Sequence, residues 1–246
     1  MTNRGKARIG VLVPFTNTNL EPDLMLLAPP GMSLHFTRIG GYDAEEIPDE
    51  DQMAGLGATD LDAPLQLLLG VRPDVILYGC TSATLSHGPE FDHALAARIK
   101  SRSGAQTVTA AGALVAALRA LDVRKIGFAS PYVTGLNDRA IGFLADQGIA
   151  TVSRADVAGR LDNTGQGAMT PEAVFDLGRR ADSPEAEAIV LSCTDMRSVE
   201  VIARLEQAAG KPVVTSNQAM MFQVLETVGS AAAPAGFGTL LDRRTS

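Results

Sequence analysis

The sequence predicts an α/β protein made of two similar lobes, each built on a parallel sheet. Three observations predict it. Short apolar runs alternate with helix-periodic stretches along the chain. Four of those runs end on small or polar residues: Pro14, Gly79–Cys80, Ser130–Pro131 and Ser192–Cys193. The pattern also repeats. Arg8-Ile9-Gly10 followed by Pro14 matches Lys125-Ile126-Gly127 followed by Pro131, and Val75–Thr81 (VILYGCT) matches Ala188–Thr194 (AIVLSCT). The prolines lie 117 residues apart and the cysteines 113 apart. Short buried strands resemble one another by chance, but two matches at nearly one spacing argue for two copies of one βα lobe.

The elements follow in order. Strands are expected at Ile9–Val13, Ser33–Ile39, Asp74–Tyr78, Gln106–Thr109, Lys125–Ala129, Ala150–Ala155, Ala188–Leu191 and Pro212–Thr215. Between them, Glu50–Leu69 reads as helix interrupted by two glycines and Pro64. Phe91–Ser101 is amphipathic, with Leu95 and Ile99 on one face, and Ala110–Leu121 is strongly periodic. Helices are also expected at Asn137–Gln147 with Gly148 just past its end, and at Thr170–Arg180 with Thr170 as N-cap and Pro171 at the first helical position. Val199–Ala209 and Ala219–Val228 complete the set.

Composition narrows the function classes. The 246 residues are 46% hydrophobic and 20% charged, enough for a substantial core. A net charge of -7, no basic run and 4% aromatics argue against a nucleic-acid partner. The N-terminus has no long apolar region of the kind that signal peptides carry, and no stretch approaches the length of a membrane span. A cytoplasmic protein is expected, with its two cysteines as thiols. No cofactor or metal is expected. There is no P-loop, Gly55-Leu56-Gly57 lacks the third glycine of a dinucleotide fingerprint, and no CxxC or HxxxH cluster is present. Ser82 and Ser216 have no triad context, and His35, His87 and His93 are scattered.

The chemistry concentrates at Cys80 and Cys193. Ligands of parallel α/β sheets bind beyond the carboxyl ends of the strands, and both cysteines stand there, each followed by Thr and an expected helix. Helix-start N–H groups can hold a carboxylate and favour a thiolate. A lone cysteine after an apolar strand is more often inert packing. Here the only two cysteines occupy equivalent repeat positions, which favours a pair working across one pocket.

These segments carry a family resemblance. RIGVLVPFTN, DVILYGC, AAGALVAALRAL, ASPY, DNTGQG, IVLSC and KPVVTS, in this order and spacing, resemble the aspartate/glutamate racemase superfamily and, within it, the maleate cis–trans isomerases. The resemblance implies two pseudo-symmetric Rossmann-like lobes with an active-site cleft between them. The chain would cross twice, residues 1–108 plus 214–246 forming the first lobe and 109–213 the second. It implies catalytic roles for Cys80 and Cys193, and substrate-carboxylate contacts from Asn17, Tyr132 and Asn163. Read without the resemblance, Asn17 and Asn163 are equally turn residues, and Tyr132 a capped core aromatic. Thr81, Ser82, Thr194 and Asp195 join the expected substrate contacts.

The chain departs from the maleate isomerases after both cysteines. Thr81-Ser82-Ala83-Thr84 stands where they carry apolar residues, and Thr194-Asp195-Met196-Arg197 where they carry a Val-Gln-Met-type stretch. Cys-Thr at both sites is closer to the amino-acid racemases. Asp195 is expected either to pair with a substrate ammonium or to cap the following helix. The expected function is cofactor-independent isomerisation of maleate or a related cis-enedioate, with Cys80 as nucleophile and Cys193 as acid/base. A two-cysteine racemase or epimerase of a small amino acid is the alternative. Malonate decarboxylation fits less well, since those enzymes keep one of the two cysteines, and a non-catalytic binding protein would need neither. Substrate aside, the expected partners are further copies of the chain.

Overall fold

A computed structural model describes residues 7–41 and 45–243. The first half runs β1 (Ala7–Pro14), α1 (Leu20–Leu27), β2 (Met32–Ile39), α2 (Glu50–Ala58), α3 (Asp62–Leu69), β3 (Val75–Tyr78), α4 (Thr81–Leu85), α5 (Gly88–Ser103), β4 (Gln106–Thr109) and α6 (Ala110–Ala120). The second runs β5 (Lys125–Ser130), α7 (Thr134–Asp146), β6 (Ala150–Asp156), α8 (Asn163–Gly167), α9 (Pro171–Ala181) and β7 (Ala188–Leu191). A 3-10 turn (Val199–Val201), α10 (Ile202–Ala209), β8 (Val213–Thr215), α11 (Ser216–Thr227) and α12 (Thr239–Asp242) close it.

The strands form two parallel four-stranded sheets, ordered β2-β1-β3-β4 and β6-β5-β7-β8. The second order is the first shifted by four strands, which is the repeat seen in the sequence. In each sheet the two central strands are mostly apolar and are buried along almost their whole length, the exceptions being Arg8 and Lys125 near the starts of β1 and β5, as sheets covered by helices on both sides require. Strand β2, at an edge, is half-buried.

The last strand of each sheet hands its helix to the junction between the lobes. Thr109 closes β4 and caps α6, its hydroxyl accepting from Gly112 N at 3.1 Å. Thr215 closes β8 and caps α11 in a capping box with Gln218. Such caps are worth about 1 kcal/mol each. Helices α6 and α11 pack on each other. Helix α6 reaches back to β8, and α11 reaches β3, β4 and α1 of the first lobe. Because β8 runs to Thr215, we propose the second crossing after that residue, two positions beyond the 213/214 boundary read from the sequence.

Three local expectations are corrected. The Glu50–Leu69 stretch is two helices, separated at Thr59–Leu61. Helix α11 starts at Ser216, three residues before the expected Ala219, because the Thr215 cap fixes its first turn. After Cys193 no helix follows directly: residues to Ser198 are irregular, and the expected Val199–Ala209 helix opens as a 3-10 turn.

Candidate active site

Cys80 and Cys193 line one small pocket between the carboxyl ends of the two sheets, with Asn17, Ser82, Tyr132 and Asn163 among its walls. Both are free, buried thiols. The cavity measures about 30 Å³, room for roughly one water. A far larger groove of about 680 Å³ lies outside, lined by Glu46, Asp49 and Asp51 among others. Its acidic wall suits no anion, so size is the wrong guide here.

Each thiol is placed by its strand. Gly79 brings β3 against α1: a Cβ there would stand 2.3 Å from Leu20 Cδ2 and 3.0 Å from the Leu12 carbonyl. Cys80 then stands at the start of the short helix α4, with Ser82 Oγ 3.6 Å from its sulfur. In the second lobe, Asp195 N donates to Cys193 Sγ at 3.3 Å. Tyr132 is fixed by its main chain: its N–H donates to Ser130 Oγ at 3.1 Å, and Asn137 Nδ2 donates to its carbonyl at 3.2 Å. The Tyr132 side chain is buried in the same pocket wall as Ser82 and Cys193.

The expectation that helix-start N–H groups make both thiols acidic is corrected. Burial pushes Cys80 up and outweighs the lowering by Ser82 and Ala83 N–H. Cys193 is pushed up to about 12, by burial first and by the Asp195 carboxylate second. Only Cys80 stands at a helix start, and that helix has five residues. The asymmetry has chemical meaning. The Asp195 carboxylate adds to the burial penalty at Cys193, whereas at Cys80 the neighbouring Ser82 and Ala83 groups oppose it in part.

The remaining predicted residues divide. Asn17 lines the pocket and also holds structure: Oδ1 accepts from Asn19 N (3.1 Å) and Leu20 N (2.9 Å), and Nδ2 donates to Thr194 Oγ1 at 3.0 Å. Thr194 Oγ1 in turn donates to Gly79 O at 2.9 Å, tying the second cysteine turn to the first. Asn163 opens α8 and its Nδ2 donates to Glu46 O and Gln52 Oε1, at 3.3 and 3.2 Å. Thr81 is not among the lining residues; its hydroxyl donates to Ser216 Oγ at 3.0 Å. His87 is also outside, stacked on Phe91. Pro48, Met53 and Gln166 line the pocket unforeseen. Gln166 sat inside the quoted DNTGQG segment, whereas nothing local marks Pro48 or Met53.

Asp195 is neither a cap for its own following helix nor a free acceptor. Its Oδ1 receives Thr18 N (2.8 Å), Asn19 N (3.0 Å) and Asn19 Nδ2 (3.0 Å), all from the opposite lobe. It serves the turn that leads into α1. Burial raises its pKa, and these N–H groups oppose the rise.

Two α/β lobes with a strand-end thiol from each in one pocket define a two-cysteine scaffold of the aspartate/glutamate racemase type. The chain belongs to the arylmalonate decarboxylase family, whose profile matches residues 10–241. It is 30% identical to a maleate isomerase of Nocardia farcinica, covering 96% of both chains. It is 29% identical to an arylmalonate decarboxylase of Bordetella bronchiseptica, over 94% of this chain and 92% of that one. Among solved structures, the Nocardia farcinica maleate cis–trans isomerase in a cysteine-to-serine form, with a covalently bound succinylcysteine intermediate, superposes with a TM-score of 0.86. It shares 26% identity over 96% of this chain and 98% of that one.

Proposed function

We propose that this chain is a cofactor-independent cis–trans isomerase of maleate or a closely related cis-enedioate. The observation that carries the reading is the pair of buried thiols, one from each sheet, in one pocket. The Cys80 thiolate adds to an alkene carbon made electrophilic by the two carboxylates. Cys193 gives its proton to the neighbouring carbon. The bond between these carbons is then single and rotates. Cys193 takes the proton back, the Cys80–carbon bond breaks, and the trans isomer leaves. The Tyr132 hydroxyl and the second hydrogen of Asn17 Nδ2 are the proposed carboxylate donors, with Ser82 and Thr194 in the same wall; Asn163 joins them once its amide releases Gln52 Oε1. Thr81 acts behind them, through Ser216. A cavity the size of one water must widen for eight non-hydrogen atoms, so the lining shifts on binding.

Two observations weigh against the other activities. Asp195 lines the pocket, but its Oδ1 is already committed to Thr18 and Asn19 of the opposite lobe, which counts against an ammonium partner there. Both cysteines are present, which decarboxylation does not need. No helix among the described residues is long and apolar enough to cross a membrane. The proposal extends to a cytoplasmic homo-oligomer; the half-buried edge strand β2, with Met25 and Leu26 of α1 exposed, offers an apolar margin to a second copy.

The test is proton NMR of maleate, methylated maleates and small amino acids in deuterated buffer. New trans-alkene signals are expected, and Cys80→Ser and Cys193→Ser should each lower turnover by at least about a hundredfold with the fold retained. Exchange at an amino-acid α-carbon without alkene turnover would replace this reading with racemisation.

A further inference from the structure

Met53 is the one long, unbranched apolar side chain among the described residues that line the thiol pocket. It stands on α2 and is 2% exposed. Its thioether sulfur accepts the Ser82 hydroxyl at 2.8 Å, and Ser82 Oγ lies 3.6 Å from Cys80 Sγ. One small side chain therefore separates Met53 from the sulfur that attacks. We propose that Met53 sets the substrate range: its side chain holds the space that a substituent on the attacked alkene carbon would need, and so favours maleate itself over 2-alkylmaleates.

The proposal rests on the isomerase reading and deepens it by naming the substrate class. The position of α2 is tied to the segment that carries Cys80. The helix packs on α4. At Gly57 it comes so close to α5 that a Cβ there would stand 2.9 Å from Phe91 Cζ and 3.2 Å from His87 Cε1. The His87 ring is itself held at the end of α4, where Nδ1 and Ala83 O are 2.7 Å apart. These contacts fix the distance of α2 from Cys80, and the width of this wall is left to the Met53 side chain.

The other walls leave a substituent nowhere else to go. Asn17, Tyr132 and Thr194 are the polar side that the carboxylates need. Pro14 and Pro48 are the remaining hydrocarbon walls, and their rings cannot fold away. Methionine can, because its stem is unbranched and its thioether soft and weakly bonding. In a cavity of about 30 Å³, maleate already has to push Met53 partly aside. A methyl group on the attacked carbon needs more of the same space. Fitting or excluding one such carbon in an apolar pocket is worth roughly tenfold or more in kcat/KM.

The test compares maleate with 2-methylmaleate in the wild type, Met53→Ala and Met53→Leu, by proton NMR. Each protein is read on both substrates, so effects common to the two cancel, including loss of the acceptor for Ser82. Met53→Ala should raise the ratio of kcat/KM for 2-methylmaleate to that for maleate by at least about tenfold. Met53→Val, with the same expected direction, replaces it if the larger truncation does not fold. Met53→Leu keeps the bulk without the sulfur and should hold the ratio within about threefold of the wild type. An unchanged ratio in the truncated variant, with folding intact by circular dichroism, overturns the proposal. A shift in Met53→Leu as large as in Met53→Ala also overturns it, since bulk would not be the cause. Binding is followed in parallel, as protection of Cys80 from iodoacetamide by succinate and by 2-methylsuccinate, which have no double bond to attack. Truncation should favour the methylated diacid here too. If it does and no enedioate is turned over by any of the proteins, the isomerase reading fails alone and Met53 still sets the pocket's range. If neither diacid protects Cys80 in any of them, the proposal fails as well.

Discussion

Both thiols carry their protons more tightly than free cysteine does, because a sulfur anion is poorly solvated where they lie. The reactive thiolate is therefore a minor form at neutral pH, and its share rises up to about tenfold per pH unit while both groups remain protonated. We expect kcat/KM for maleate to climb from pH 7 to 9; a flat profile over that range would mean the nucleophile is already charged. A second titrating residue lies behind the site. Asp23 on α1 is buried, accepts from Asn217 Nδ2 at 2.7 Å, and is raised to about 7, chiefly by burial. The same Asn217 nitrogen donates to Thr194 O at 3.1 Å. An acid whose folded pKa is raised binds more protons folded than unfolded between about pH 4 and 7. Stability is therefore lost as pH rises through that window and is level above it. Asp23→Asn keeps an oxygen for Asn217 and removes the buried charge. Its melting temperature should exceed the wild type's at pH 8 and converge on it only as pH falls to about 4. Equal curves at both values would show that Asp23 titrates normally.

At the scale of elements, the site depends on how closely α1 approaches the end of β3. Gly79→Ala would drive a methyl into Leu20 and the Leu12 carbonyl. We expect a loss of about 1–3 kcal/mol in denaturant unfolding and a larger fall in turnover than the stability loss explains, because Cys80 is the next residue. Unchanged activity would mean α1 shifts freely. The same elements show what the sequence could reveal. Strands, sheet class and the two cysteine positions were legible because fully buried parallel strands leave apolar runs with abrupt polar ends. Helix α8 and the pocket walls Pro48 and Met53 were not. The first is a five-residue turn capped by Asp162, too short for any periodicity. The others approach the thiols only through tertiary packing. The turn after Cys193 was misread as a helix start because its polar residues suit a cap, whereas their partners lie in the opposite lobe.

At the scale of the whole molecule, the lobes are joined by polar clamps as well as by apolar contact. Asp195 receives the Thr18 and Asn19 N–H groups, and Thr194 links Asn17 to Gly79. Asp195→Asn keeps an acceptor oxygen and should change stability and KM little. Asp195→Ala strands buried donors and should cost about 1–3 kcal/mol. A steep KM rise in Asp195→Asn at unchanged stability would instead point to an ammonium-bearing substrate. The packing of α11 on the first sheet has a consequence for how the protein is made. Met220, Met221, Phe222, Val224 and Leu225 of α11 are buried, and this helix packs on β3, β4 and α1. At about 5–20 residues per second, the ribosome delivers α11 on the order of ten seconds after β4. Throughout that interval the nascent first lobe is obliged to present a bare apolar surface, and a chaperone that holds such surfaces has its opportunity then.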